Sequence, residues 1–214
     1  MTNLAQRSDT TSIVAEFAGG SQSDVSMMIG IGLVKDSEGV FFQYIGDDQA
    51  PSALMLPSGK PLTRMANVRV VGVDIADNVG EFKSTKLNLF LESAQGNVVM
   101  LTSGLNTLWS QCVMTALMGL WNSYDLETAF TLNSWKGTSR MKPCFASIKV
   151  GQAKVSDTDM YNQLVDLRAD KAKDKIAAVM RDSVEILKAA LKTGSEVEPV
   201  DVQELDELAG TNDF

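Results

Sequence analysis

The spacing of apolar residues predicts a β-rich body followed by a helical C-terminal part. The runs "MMIGIGLV" (27–34) and "VFFQYI" (40–45) flank five mostly polar residues and predict a β-hairpin. Prolines at positions 51, 57 and 61 predict that 46–62 forms a long irregular loop. The N-terminal part is therefore expected to add a hairpin to the body.

The segment from 66 to 150 shows a regular order of predicted elements. Apolar and alternating runs predict strands at 66–75, 85–93, 97–101, 126–135 and 144–150, and an apolar helix at 104–121 capped by Ser103. Three strands, a helix and two strands is the order of an OB-fold, although other small α+β domains share it. We therefore predict an α+β fold with an OB-like, five-stranded antiparallel barrel.

Helical spacing of apolar residues continues over 156–192 and predicts a long C-terminal helix. Ser156, with Asp159 three positions later, resembles a capping box, and Gly194 marks the end. The polar stretch 168–175 predicts a break, a kink or a projecting segment. The expected division is an N-terminal segment (1–62), an OB-like core (63–154), a helical segment (155–193) and an acidic tail (194–214).

Charge is distributed unevenly along the chain, whose net charge is −8. Residues 194–214 contain seven acidic residues and no Lys or Arg, so this tail is predicted to be disordered. Residues 60–154 contain ten basic and six acidic residues. A local basic face is what governs nucleic-acid binding, so the acidic overall composition does not exclude such a partner.

Candidate catalytic chemistry is sparse. The chain has no histidine, and the two cysteines, Cys112 and Cys144, cannot form a zinc site alone. Gly59-Lys60 lacks the other residues of a phosphate-binding loop, and Asp47-Asp48 is typical of a turn. We expect no enzyme activity, no metal and no cofactor.

The expected location is the cytoplasm. No apolar run reaches membrane-spanning length, so no membrane partner is expected. No signal peptide is recognised, and the cysteines are expected to stay reduced.

Side-chain alternation places three aromatic residues and two lysines on the outward side of the predicted strands, and the loop 136–143 adds further cations. Rings that accept bases, beside cations that bind phosphates, are typical of single-stranded nucleic-acid binding. The candidate binding residues are Lys86, Phe90, Trp135, Lys136, Arg140, Lys142, Phe145 and Lys149. Arg64, Arg69, Lys83 and Lys154 could extend this path. Alternatively, the long helix or a second subunit covers the same face as an interface.

The chain ends "TNDF", after an acidic segment. Together with the strand-helix-strand body, this ending resembles the single-stranded DNA-binding proteins of bacteriophages and bacteria. The resemblance implies that an OB-fold coats the strand and that the tail recruits replication proteins. The matching tail positions are Asp206, Glu207, Asp213 and Phe214. The additional elements resemble the Drc-type proteins of podophages, in which the implied partner is RNA polymerase.

These observations lead to one principal expectation and two alternatives. We expect a sequence-tolerant single-stranded DNA-binding protein, homo-oligomeric, acting in phage replication, recombination or transcription. The first alternative is a single-stranded DNA-binding cofactor of a phage RNA polymerase. The second, from another class, is a phage structural or assembly protein.

Overall fold

The computed structural model describes residues 27–35, 37–45 and 50–195, which form nine strands and three helices. The strands are β1 (Met27–Ile31), β2 (Phe41–Ile45), β3 (Ala50–Ala53), β4 (Arg64–Val79), β5 (Ser84–Glu92), β6 (Val98–Gly104), β7 (Phe130–Lys136), β8 (Cys144–Val150) and β9 (Ala153–Val155). The helices are α1 (Leu108–Ser123), α2 (Thr158–Ala169) and α3 (Lys173–Ser195). The fold is therefore of mixed α and β type.

All nine strands belong to one sheet, in the order β3-β2-β1-β6-β5-β4-β7-β8-β9. Neighbouring strands are antiparallel except β1 and β6, which are parallel. The predicted N-terminal hairpin is confirmed, with Gly30 of β1 opposite Phe42 of β2.

The closed five-stranded barrel is not what forms, and that prediction is wrong. Closure would require β6 to pair with β8, but β6 pairs instead with β1, in a parallel register from Met27↔Val99 to Gly30↔Thr102. This pairing buries Met27 and Ile29 of β1 in the core. The described chain therefore forms an open nine-stranded sheet, because the N-terminal segment occupies the edge that barrel closure would use.

The longest strand, β4, joins the two halves of the sheet. Its residues 64–68 pair with β7, whereas residues 69–79 pair with β5. The register shifts between Met65 and Val68, and again between Val70 and Gly72. Such bulges bend a strand and increase its twist. The two halves consequently share one continuous sheet but lie on opposite sides of a bend.

The core is a single apolar cluster that joins the sheet to all three helices. Leu87, Leu89 and Leu91 of β5 are fully buried on one face of the sheet, as their alternation predicts. Trp109 of α1 is also buried, and its Nε1 donates to Ser134 Oγ of β7 at 2.9 Å. Burying each large apolar side chain contributes roughly 1.5–3 kcal/mol, so the sequence alternation fixes which face meets the helices.

The first helix begins later than predicted. Thr107 is its N-cap and accepts a hydrogen bond from the Ser110 backbone N–H at 3.2 Å. Ser103, the predicted cap, lies in β6 with its Oγ 3.0 Å from Thr107 Oγ1. The strand continues through Gly104, which moves the helix start four positions along the chain.

The predicted C-terminal helix consists of two helices. Asp157, not Ser156, caps the first, accepting from the Met160 N–H at 2.8 Å. The helix is interrupted within the polar stretch 168–175, where Lys171 has a φ of 56°. A break at this stretch was one of the predicted possibilities. Helix α3 then buries four apolar residues against the body: Ile176, Met180, Val184 and Leu187.

Two short strands were missed. Ala50–Ala53 forms β3 within the predicted loop, and Pro51 is tolerated because β3 is the last strand of the sheet order. The other is β9, at the opposite end of the order.

Several predictions concern residues outside the described part of the chain. They are Asp47-Asp48 and the tail residues Asp206, Glu207, Asp213 and Phe214. Among the described residues, Cys112 lies in α1 and Cys144 in β8, both as free thiols. None of the described helices has the length and apolar character needed to cross a membrane.

Candidate nucleic-acid interface

Side chains that alternate with the core residues point away from the core cluster and form what we call the outer face of the sheet. Phe90, Trp135 and Phe145 all occupy such positions, opposite in direction to their buried neighbours Leu89, Ser134 and Ala146. Alternation therefore predicted their direction correctly. The candidate residues nevertheless fall into two separate groups on this face.

The first group is centred on an aromatic pair. Trp135 of β7 lies directly opposite Phe145 of β8, and their rings are stacked with centroids 6.0 Å apart and planes 23° apart. Phe145 packs against Gly137, where an added Cβ would lie 2.8 Å from the Phe145 ring. Trp135 is 44% exposed, so its supported indole is available to a ligand.

Cations lie on the same outer face, farther along these strands and on their neighbours. Lys149 of β8 is opposite Thr131 on one side and Lys154 of β9 on the other, while Arg64 of β4 is opposite Asn133. Asn133 and Thr131 are two and four residues from Trp135, which corresponds to about 7 and 13 Å along β7.

Strands β7, β8 and β9 contain no Asp or Glu. We call the surface of Arg64, Trp135, Phe145, Lys149 and Lys154 the basic-aromatic half. The charges of Lys149 and Lys154 are therefore not neutralised within their own strands.

The connecting loop contributes two of its three predicted cations. Arg140 and Lys142 are exposed in the turn between β7 and β8. Lys136 instead ends β7 on the side opposite to Trp135 and is half-buried. Its Nζ donates to the carbonyl oxygens of Ser37 and Val34, the latter at 3.4 Å. Lys136 therefore fixes the β1–β2 loop and does not join the outer face.

The second group contains Phe90 and Lys86 on β5. Phe90 is opposite Gly72 of β4 and Met100 of β6. Gly72 is eight residues beyond Arg64 along β4, and β4 lies between β5 and β7 in the sheet order. The structure therefore does not bring the three predicted aromatics together.

Sequence reasoning missed the residues that surround Phe90. Met28 of β1 is opposite Met100, and Phe42 and Tyr44 of β2 continue the surface with rings 5.3 Å apart at 86°. Phe42 lies over Gly30, where a Cβ would be 2.4 Å from its ring. We call the surface of Met28, Phe42, Tyr44, Phe90 and Met100 the apolar half. It depends on the parallel β1–β6 pairing, for which the sequence gives no local signal.

The cations near the apolar half are largely neutralised. Arg69 forms a hydrogen-bonded ion pair with Glu92, and this hydrogen bond raises the pKa of Arg69. Lys188 of α3 lies 2.6 Å from Asp74, and its hydrogen bond lowers the pKa of that carboxyl group. Lys86, opposite Gly104, adds a single further cation to β5. The two halves thus differ in charge more than in aromatic content.

Comparisons of the chain with protein-family models, with curated proteins and with solved structures find no match. Function must therefore be inferred from the geometry. Within the described residues, no group of three or more Cys, Asp or Glu side chains could hold a metal ion.

Proposed function

We propose that this protein binds single-stranded nucleic acid, DNA in particular, through the basic-aromatic half of its outer face. The observation that carries the proposal is the Trp135–Phe145 stack, with Arg64, Lys149 and Lys154 on the same face of the sheet. Strands β7, β8 and β9 contain no carboxylate. Unpaired bases expose flat rings, and the backbone exposes one phosphate per nucleotide. This surface is complementary to both.

The expected binding energy has two parts. Stacking of a base on an aromatic side chain contributes about 1–3 kcal/mol and does not depend on which base is present. Contacts of Arg64, Lys149 and Lys154 with phosphates release counterions, which makes the affinity depend on salt. Both parts are independent of sequence, so the binding is sequence-tolerant.

The proposal is supported by the strand order of this part of the sheet, which resembles that of an OB-fold. The five strands β6-β5-β4-β7-β8, with α1 between β6 and β7 in the chain, have the order of an OB-fold opened between its third and fifth strands. OB-folds are partly open barrels that bind oligonucleotides on their strands and loops. The N-terminal strands then extend the sheet from the opened edge.

The proposed biological role is to coat single-stranded DNA in phage replication, recombination or transcription and to recruit partner proteins. In this proposal the tail residues Asp206, Glu207, Asp213 and Phe214 form the recruiting segment. An acidic C-terminal peptide can pair with Arg or Lys on a partner while a terminal ring enters an apolar pocket. The partner would be a replication protein or, in the closest alternative, a phage RNA polymerase.

A second candidate function is assembly, and the apolar half favours it. Aromatic residues and methionine are enriched, and charges depleted, at the centres of protein interfaces. Met28, Tyr44 and Phe90 fit that composition. A homo-oligomer that binds DNA would accommodate both observations, whereas a purely structural protein would bind no DNA.

Fluorescence anisotropy with a labelled oligothymidylate tests the proposal. The full-length protein should bind at low salt and weaken steeply as salt increases. Replacing Arg64, Lys149 and Lys154 together by Gln should reduce the salt slope by about 2, since each phosphate contact on a single strand contributes roughly 0.7.

The matched control replaces Lys60, Lys173 and Lys175, which are exposed elsewhere, by Gln. Both variants remove three positive charges, so only the position differs. An equal loss of affinity in the two variants, or no binding by the wild type at low salt, would contradict the proposed site.

A further inference from the structure

The turn that joins β7 to β8 is a well-defined projection from the basic-aromatic half. Gly137 N donates to Pro143 O at 2.7 Å, and Lys142 N donates to Ser139 O at 2.8 Å. The second bond closes a four-residue turn with Arg140 and Met141 at its centre. The tip of the hairpin is therefore fixed by two backbone hydrogen bonds.

Met141 at this tip is 82% exposed and is not part of the core cluster. The residues on either side, Arg140 and Lys142, are exposed cations. The segment 136–143 contains three basic residues and no acidic residue. An apolar side chain held in water between two cations contributes nothing to the packing of the fold and is free to contact a ligand.

The tip is connected directly to the stacked pair. The Phe145 ring packs on Gly137, and a Cβ added at Gly137 would also lie 3.2 Å from Pro143. The base of the turn is thus held against the same ring that supports Trp135. A strand whose base stacks on Trp135 would leave the sheet beside Met141.

We propose that this tip binds the junction at which a duplex opens into a single strand. Met141 would pack against the exposed face of the last base pair, while Arg140 and Lys142 bind phosphates of the two separating strands. Proteins that kink DNA use Met among the apolar side chains that they insert between base steps. A terminal base pair offers a comparable apolar face without the cost of unstacking.

This inference rests on the proposed function, because the single strand of the junction is expected to occupy Trp135 and its neighbouring cations. One apolar side chain, Met141, with a cation on either side fits a fork better than a continuous single strand. A continuous strand has one backbone, whereas a fork presents two.

The test compares two labelled DNAs in the same anisotropy titration: an oligothymidylate, and a fork in which a duplex opens into two single-stranded arms, one of which is that oligothymidylate. Wild-type protein should bind the forked DNA at least about fivefold more tightly, the lower end of one stacking contact. Met141→Ser should abolish this preference while changing the affinity for the oligothymidylate by less than about twofold.

The matched control is Phe82→Ser, because Phe82 is 93% exposed at the tip of the β4–β5 hairpin. Phe82→Ser should keep the fork preference. Both residues lie outside the core, and equal melting temperatures of the two variants would verify that folding is unaffected.

The outcomes separate the two proposals. Binding of the oligothymidylate without fork preference would overturn the junction proposal and leave the single-strand site standing. Absence of binding to either DNA would overturn both. If Met141→Ser keeps the fork preference but changes the mass of the protein in solution, the tip is a protein contact and the junction proposal is wrong.

Discussion

The two halves of the outer face contain similar aromatic residues but different charge. In the basic-aromatic half, Lys149 and Lys154 lie on strands that have no carboxylate. Near the apolar half, Arg69 is paired with Glu92 and Lys188 with Asp74. Aromatic residues on a sheet face do not by themselves identify a nucleic-acid site. What distinguishes the halves is whether cations remain available for phosphates.

The aromatic rings also sit differently. Trp135 and Phe145 are stacked with their planes 23° apart, whereas the Phe42 and Tyr44 rings meet edge to face at 86°. The apolar half also contains Met28 and Met100, and this composition is typical of protein interfaces. The two halves are therefore expected to respond differently to mutation.

The largest expected effect is on Trp135. Trp135→Ala should weaken oligothymidylate binding by about 1–3 kcal/mol, or roughly 5- to 150-fold, because it removes the stacking surface. The measurement is an anisotropy titration at low salt. Trp121→Ala is the control, since Trp121 is similarly exposed, at 40%, but belongs to α1 and not to the strands of the basic-aromatic half. Equal losses of affinity in the two variants would show that Trp135 has no special part in binding.

Gly30→Ala should lower the stability of the fold through the apolar half and leave DNA binding unchanged. The added Cβ would meet the Phe42 ring at 2.4 Å, and the resulting overpacking is expected to lower the free energy of unfolding by about 1 kcal/mol. Urea denaturation measures this change, and DNA affinity should remain constant. The cost should decrease in a Phe42→Ala background; a cost that persists there would show that the ring is not its cause.

Lys149→Gln should weaken DNA binding uniformly across sequences and lower the salt slope by roughly 0.7–1. The lost group is a phosphate contact, so poly-dT and poly-dA oligonucleotides should be affected alike. Lys175→Gln on α3 provides the control. A slope that changes equally in both variants would mean that overall charge, and not this position, determines binding.

The smallest expected effect concerns the Asp74–Lys188 ion pair, which joins β4 to α3. Its hydrogen bond from Lys188 lowers the pKa of Asp74 in the folded state. The pair therefore stabilises the fold above the unfolded pKa of about 3.9 and loses this contribution as pH falls through the folded pKa.

Because both side chains are partly exposed, at 34% for Lys188 and 47% for Asp74, the contribution should be only a few tenths of a kcal/mol. Asp74→Asn should lower stability by that amount at pH 7 and by less near pH 3. Denaturant titrations at the two pH values measure it. The same loss at both pH values would argue against the ion pair.

Local patterns in the sequence predicted the direction of side chains well. Leu89 faces the core and Phe90 faces outward, as alternation along β5 requires. The same rule, extended by one residue along β7, would have placed Lys136 on the side opposite to Trp135. That error arose from assigning Lys136 to a loop rather than to the end of the strand.

Non-local pairing could not be predicted in this way. The parallel contact of β1 with β6 joins residues about 70 positions apart, from Met27↔Val99 to Gly30↔Thr102. No turn or short connection specifies it, and it determines both the open sheet and the existence of the apolar half. The bend of β4 at its bulges likewise separates Phe90 from Trp135, although both were correctly predicted to face outward.

Photocrosslinking tests the central claim most directly. A single-stranded oligonucleotide containing 5-iodouracil should be crosslinked to the full-length protein at low salt, and the attached peptide identified by mass spectrometry. The proposed site predicts attachment at Trp135 or Phe145. Attachment at Phe42, Tyr44 or Phe90 instead, or saturable binding with no attachment in the basic-aromatic half, would contradict it.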